Sequence, residues 1–377
     1  MDDIFELGDE LGPLKVIHLQ EASIGLNAVL VVDNVAMGPS IGGIRMAPDV
    51  TVAECIRLAR AMTFKNAAAG LPHGGGKLVV RGEPKMEKGR KQLLLRTLAS
   101  ALRSEADYIF APDMGTDEEC MAWIRDEVER VVALPRELGG IPLDEIGATG
   151  WGLSHVVEVA LAYCSFPLEG ARFVVQGFGA VGRNVSRFLA ARGAVLVAVA
   201  DSAGAIHNPA GLDVAALLAL KEQGRPLTDY GDATPLERDA VIDVACDIWI
   251  PAARPDVIHE GNVQRLNTKL VVEGANIPFT RGAEQYLHEK GILCVPDFIA
   301  NAGGVICAAM EYHGASESAA LESIEEKLRR NTEQVLKIAV KERITPREAS
   351  QRMALERVQK AMSYRRFSTF SMGPNWL

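Results

Sequence analysis

The sequence predicts an α/β protein of two domains separated by a cleft, and three observations carry that prediction. The chain has 377 residues, more than a single hydrophobic core usually serves. Its first part mixes short strand-like runs with helical ones, whereas from Thr149-Gly150 onward strand, glycine turn, helix and strand alternate, the pattern of a parallel sheet with helices on its faces. From about Ala319 to Met362 the residues read as long polar-faced helices. One domain is therefore expected to comprise residues 1–145 plus about 336–377, and the other residues 146–335.

The elements follow in order. Lys15–Leu19 and Ala28–Val32 read as strands, and Gly38-Pro39-Ser40-Ile41-Gly42-Gly43 reads as a turn, because glycine and proline punctuate regular structure. Cys55, Leu58, Ala59, Met62 and Ala69 then recur at helical steps, Gly70 stands where a helix stop belongs, and Lys65 falls on the apolar face. Strands are expected at Arg172–Gln176 and Ala194–Asp201 around a helix over Asn184–Ala191. Short apolar runs at Val241–Val244, Ile248–Pro251, Leu270–Val272 and Ile292–Val295 supply later strands, and the tail Phe367–Pro374 reads as irregular.

Composition narrows the function classes. Nearly half of the residues (48%) are apolar and 24% are charged, as in an ordinary globular protein rather than a disordered one. The net charge of -9 argues against a nucleic-acid or acidic-membrane partner, which needs a basic face, and favours a small molecule. Met1–Phe5 is acidic and no run of about 20 apolar residues occurs, so a cytoplasmic protein is expected. Six scattered cysteines show neither a C-x-x-C pair nor zinc spacing with histidine; buried reduced thiols are expected, and no metal.

Gly177-Phe178-Gly179-Ala180-Val181-Gly182 matches G-x-G-x-x-G between a strand and a helix, the context in which that pattern binds a dinucleotide. The first glycine permits the turn, the second admits the pyrophosphate and the third lets helix and strand pack. Helix N-H groups and the positive dipole end then receive the phosphates. Asp201 closes the next strand, where an acid holds ribose hydroxyls; its bland alternative is the start of the turn Asp201-Ser202-Ala203-Gly204. No Arg or Lys directly follows Asp201, so NAD is expected in preference to NADP. A Rossmann-like second domain follows.

Gly74-Gly75-Gly76-Lys77 is not a phosphate loop, since Leu71 and Leu78 break that motif. Three glycines before a lysine instead let backbone approach a ligand and leave Lys77 in a cleft. Lowering such a lysine from about 10.4 to about 7.5 takes roughly 4 kcal/mol of differential environment, from burial and a neighbouring cation such as Lys65. A second cation also suits a carboxylate substrate. The bland alternatives are a snorkelling Lys65 and an Asp113 that merely caps a turn or helix.

Taken together the segments Gly38–Met46, Met62–Lys65, Gly74–Lys77, Pro112–Thr116, Ala148–Gly150, the glycine turn, Val272–Asn276 and Asn301–Val305 resemble, in order, the glutamate, leucine, phenylalanine and valine dehydrogenase family. The resemblance implies an N-terminal substrate domain, a Rossmann-like domain and reversible oxidative deamination of an L-amino acid to a 2-keto acid and ammonia, in a homo-oligomer. It assigns Lys65 to the substrate carboxylate with help from Asn301, Lys77 to catalysis and Asp113 to proton transfer. Gly42, Gly43 and Met62 join the substrate residues. Thr149, Asn276, Ser202 and Ala252 join the glycine turn and Asp201 around the cofactor.

Glutamate-specific relatives place a lysine where this chain has Ile41 and a serine where it has Ala308. An unpaired side-chain carboxylate there would cost several kcal/mol, so an apolar substrate of the leucine, valine or phenylalanine type is expected, although Ala148–Gly152 stands closer to the glutamate branch. Two alternatives stay open: a glutamate dehydrogenase whose side-chain cation is His73 or another arginine, and a dinucleotide-binding regulator without turnover.

Overall fold

In the computed structural model, which describes residues 7–364, the first sheet is apolar on both faces because helices cover both. Its strands are β1 (Lys15–Glu21), β2 (Leu26–Asn34), β3 (Ser40–Ala47), β4 (Gly74–Arg81) and β5 (Tyr108–Pro112), in spatial order β1-β2-β4-β3-β5. β1, β2 and β4 pair antiparallel, and β3 runs parallel to β4 and β5. Side chains alternate across a strand. On β2, Leu26, Ala28, Leu30 and Val32 therefore meet residues of α2 (Lys88–Ala101) and α3 (Glu118–Arg125), while Val29 and Val31 meet Cys55, Ile56 and Ala59 of α1 (Val52–Ala69). On β4 the same alternation puts Val79, and with it Lys77, on the α1 face. Thr51 caps α1 by accepting from the Glu54 N-H, and Gly70 ends it at φ 67°.

One expectation needs correction here. The run Gly38–Gly43 is a turn only as far as Pro39, and Ser40 begins β3. Glycines within a strand mark close backbone approach as well as turns. A Cβ on Gly42 would lie 1.9 Å from the Gly76 carbonyl oxygen, and one on Gly75 would lie 2.0 Å from the Thr63 nitrogen in α1. The glycine strip of β4 thus admits α1, not a ligand, at Gly75.

From residue 143 the chain builds α4 (Leu143–Ile146), α5 (Ala148–Leu161), β6 (Arg172–Gln176), α6 (Ala180–Ala190), β7 (Val195–Ala200), β8 (Ala205–His207), α7 (Val214–Glu222) and β9 (Thr234–Leu236). There follow β10 (Ile248–Pro251), β11 (Leu270–Val272), α8 (Arg281–Glu289), β12 (Leu293–Val295) and α9 (Asp297–Ala300). The sheet order is β12-β11-β10-β6-β7-β8-β9, parallel from β12 to β7 and antiparallel beyond. Buried on both sides, its central strands are nearly continuous in apolar residues. Val241–Val244 is not a strand: residues Arg238–Asp243 form a 3-10 turn that buries Val241 and Ile242, a distinction periodicity cannot make for so short an apolar run.

The helices α10 (Gly303–Tyr312), α11 (Glu317–Glu342) and α12 (Pro346–Met362) complete the chain. By contacts the described residues divide into one unit of 7–142, 305–320 and 351–364 and another of 143–304 and 321–350. In place of one return near residue 336 the chain crosses at 305, 321 and 351, because α10, α11 and α12 are each shared between the units. The expected irregular tail Phe367–Pro374 lies outside the described residues. All six cysteines are unpaired, and burial pushes the Cys55, Cys246 and Cys307 thiols up to about 12. Among the described residues no helix is long and apolar enough to cross a membrane.

Replacing Gly75 by alanine should destabilise the protein by about 1–3 kcal/mol through overpacking against α1. Gly231→Ala, where a Cβ meets nothing within 4 Å, should stay within about 0.5 kcal/mol. Urea unfolding midpoints of the two variants check the contrast.

Candidate functional site

In the first unit the alternation of β3 sets Ile41, Gly43 and Arg45 on the face that carries Lys77 of β4. Asp113 follows the end of β5, and a Cβ on Gly43 would lie 2.7 Å from the Asp113 Cβ. That missing Cβ is what lets the aspartate lie over β3. The Lys77 Nζ donates to Asp113 Oδ2 at 2.7 Å, and Arg45 Nε donates to the same oxygen at 3.0 Å. Arg45 also donates through Nη1 to Glu54 at 2.7 Å. Lys77 is only 7% exposed at its side chain and Asp113 27%.

Burial raises the Asp113 carboxyl, but Lys77 and Arg45 outweigh it and hold the group below its ordinary range. Asp113 is thus a carboxylate with one oxygen fully engaged. Of the bland alternatives for Asp113, the turn is present, its carbonyl accepting from the Thr116 N-H at 2.9 Å, whereas the cap of α3 is Asp117, which accepts from the Cys120 N-H. Lys77 has an anion as its direct partner, where the sequence reading set a neighbouring cation. Arg45 is the residue that sequence reasoning missed. The signal was there, two positions after Gly43, but only for a segment read as a strand.

Lys65 and Met62 are half-buried on α1, and Ile41 and Ala308 are buried in the same unit. His73, the candidate cation for a side-chain carboxylate, is 1% exposed. Burial pushes its imidazole down to about 4. Its Nδ1 lies 3.1 Å from the Pro39 carbonyl and donates there, and in the neutral ring that burial favours its Nε2 accepts from the His313 Nε2 at 3.1 Å. His73 is neutral, which removes it as that cation.

In the second unit a cavity of about 580 Å³ lies beside the glycine turn, lined by Gly177, Gly179, Asp201, Ser202, Lys221, Arg238, Ala252 and Arg254 among others. The three glycines divide their roles. Gly177 has φ 105° and a Cβ there would meet the Ala252 backbone at 2.8 Å; a Cβ on Gly182 would lie 1.8 Å from the Gly177 oxygen; at Gly179 it would meet nothing within 4 Å. Only the second glycine faces open space, and no side chain caps the N-terminus of α6 there. Ala180 and Val181 form its first turn. The Gln176 Oε1 is buried without a partner and lines the same cavity. Uncapped amides, an open glycine and an orphaned acceptor fit a dinucleotide.

Asp201 begins the expected turn, its Oδ1 accepting from the Ala203 N-H at 2.8 Å, and also borders the cavity. Its Oδ2 also accepts from Lys221 Nζ at 2.8 Å. The sequence reading found no cation because it inspected only the residues that directly follow; α7 brings Lys221 back from 20 positions on. Ala252 follows β10 and donates to the Gln176 carbonyl at 2.7 Å. Thr149 is half-buried in the first turn of α5, its hydroxyl 3.4 Å from where a Gly304 Cβ would stand. Asn301 donates to Asn276 Oδ1 at 2.9 Å and to the Gly274 and Ala275 carbonyls, leaving its own Oδ1 buried and unpartnered.

Residues 139–366 match the family model described as glutamate/leucine/phenylalanine/valine dehydrogenase, and residues 16–130 match that of the Glu/Leu/Phe/Val dehydrogenase dimerisation domain. The chain is 37% identical over 356 residues to a glutamate dehydrogenase of Aeropyrum pernix, covering 88% of this chain and 85% of that relative. Its fold is similar to the hetero-hexameric glutamate dehydrogenase from Thermus thermophilus in a Leu-bound form, with a TM-score of 0.83, 30% identity and 94% and 91% of the two chains covered. It is similar also to L-tryptophan dehydrogenase from Nostoc punctiforme, with a TM-score of 0.76, 25% identity and coverage of 95% and 99%. With both family models matched along the chain and a cavity beside the glycine turn of the second unit, this protein belongs to the glutamate/leucine/phenylalanine/valine dehydrogenase family of nicotinamide-dependent amino-acid dehydrogenases.

Proposed function

We propose that the protein reversibly deaminates an apolar L-amino acid, of the leucine, valine or phenylalanine type, to its 2-keto acid and ammonia, with NAD, as a homo-oligomer. The observation that carries the apolar choice is the absence of charge where a side-chain carboxylate would need it: Ile41 and Ala308 are buried and apolar, and His73 is neutral. A glutamate side chain buried there would lose its hydration without a partner, at a cost of several kcal/mol. A dimerisation domain in the matched family and a hexameric similar structure support assembly. Names among similar proteins favour a second reading, glutamate dehydrogenase with an atypical pocket.

In the proposed reaction Lys65 takes the substrate carboxylate with help from Asn301. Gly42 and Gly43 let β4 and the Asp113 loop close in on β3 beside the substrate, and Met62 faces the apolar side chain. The dinucleotide supplies the hydride acceptor for the α-carbon, held by Thr149, the glycine turn with Ala180 and Val181, Asp201, Ser202, Ala252 and Asn276. Loss of hydride leaves an imine that water must attack. Lys77 as a neutral amine removes the water proton and as an ammonium steadies the carbinolamine oxygen. Asp113 stands 2.7 Å from its Nζ, within reach of a direct proton transfer. Arg45 fixes the aspartate and keeps it a carboxylate, ready to accept.

Three results are expected. Lys77→Ala should lower kcat by about 10²–10⁴ while NADH binding, followed by fluorescence titration, stays as in wild type. Rates on L-leucine, L-valine, L-phenylalanine and L-glutamate should favour the apolar substrates, and Ile41→Lys with Ala308→Ser should raise activity on glutamate; glutamate as the best wild-type substrate would establish the second reading instead. Lys221 is the cation within reach of a 2′-phosphate, so Lys221→Ala should lower kcat/KM with NADP more than with NAD, and an equal loss with both would place Lys221 outside cofactor choice.

A further inference from the structure

Among the described residues of the second unit, Asp256 (φ 50°), Ile277 (φ 49°) and Arg343 (φ 58°) hold a backbone conformation that their side chains disfavour, and the first two are hydrogen-bonded to each other. For a β-branched residue the left-handed region is a true outlier, because its Cβ crowds the following carbonyl. Packing does not account for it, since Ile277 is 56% exposed. The surroundings impose it. The Ile277 N-H donates to Asp297 Oδ2 at 2.8 Å, and its carbonyl accepts from the Asp256 N-H at 2.9 Å. Asp297 is fixed in turn by Arg347 Nη1 at 3.0 Å, and Arg347 is clamped by Glu284 and Glu273. Beyond the strained pair the two loops continue together, Ile258 donating to the Pro278 carbonyl and Thr280 to the Ile258 carbonyl. A conformation so over-determined, at a position where glycine would be unstrained, points to a use for the side chain.

Topology says which use. β6 has β7 on one side and β10 then β11 on the other, so the strand order reverses at β6 and a dinucleotide crosses the carboxyl ends there. Asp201, after β7, stands at the adenosine end. The loop after β10, which carries Asp256, and the turn after β11, which carries Asn276 and Ile277, stand at the other end.

We infer that Ile277 is a cofactor-positioning residue whose exposed side chain, held out by the strained turn, packs against the nicotinamide half of the bound dinucleotide. This rests on the dinucleotide reading given above. An apolar side chain beside the ring removes water from one flank of it and limits its rotation, whereas Asn276 next to it supplies polar contacts. The adenosine half, bound some strands away, is untouched by it.

Fluorescence and calorimetric titration of the full-length chain with NADH and with ADP-ribose, which lacks nicotinamide, test this. Ile277→Ala keeps the strained backbone and removes most of the side chain; it should weaken NADH by about tenfold, the order of a lost buried side chain, and leave ADP-ribose unchanged. Ile277→Gly relaxes the backbone as well. It should lose the same NADH affinity with a melting temperature at or above that of wild type, so the test does not depend on the alanine variant folding well. Ile277→Val should bind within about twofold of wild type. Unchanged NADH affinity in Ile277→Gly would overturn the inference, and so would equal weakening of NADH and ADP-ribose, which marks a scaffold role. Wild-type protein that binds neither ligand would overturn the dinucleotide reading and this inference with it, whereas wild type that binds both but oxidises no amino acid fails only on substrate.

Discussion

Everything in the first unit's site depends on backbone packed against backbone at Gly42, Gly43 and Gly75. These residues let β3, β4, α1 and the Asp113 loop come closer than any side chain would allow. Because they do, Lys77 is nearly dry, Asp113 reaches across β3 and Arg45 reaches Asp113 from the same strand face. The site is therefore a by-product of tight main-chain packing, with its charged atoms set by strand register.

Charge is balanced locally in both units, with different results. Around Asp113 two cations share one carboxylate oxygen, so the anion is stabilised despite its burial. Around Arg347 one guanidinium serves Glu273, Glu284 and Asp297, and burial pushes the Glu273 carboxyl well up. Glu273, Glu284 and Cys294 stand close enough together to suggest a metal cage, yet the guanidinium already supplies the positive charge that those donors would seek. What this second cluster secures is geometry, because Asp297 hands the rigidity of Arg347 on to the turn at Ile277.

Much of this was legible in the sequence, for identifiable reasons. The second domain was readable because its signal is local: strand, glycines, helix and acid follow one another in a span that makes one supersecondary unit. Lys77 and Asp113 stood out by composition and by family resemblance, but their contact joins residues 36 positions apart and no periodicity reports it. Arg45 was hidden by an error of type. Glycines mean turns when neighbours are polar and close strand contacts when neighbours are apolar, and Ile41 and Ile44 favoured the second meaning. Lys221 was hidden by distance along the chain, which is how a purely sequential search for a phosphate partner fails. The neutrality of His73 needed its surroundings, since only burial and the Pro39 and His313 contacts decide it.

The choice between an apolar and an acidic substrate is at root a question of where a carboxylate can be met. An amino acid carries one carboxylate at its α-carbon whatever its side chain, so apolar and acidic substrates alike need one partner for it. A second carboxylate demands a second cation, or at least donors that replace its hydration. Lys77 is committed to Asp113 and Arg45 to Asp113 and Glu54, so neither can serve it without abandoning a buried acid, which costs more than the contact returns. Burial disfavours the charged form of His73. Unless a cation elsewhere in the chain is freed for the purpose, the energetic argument runs towards a side chain that brings no charge with it, and the discrimination arises from what the site's existing cations are already bound to.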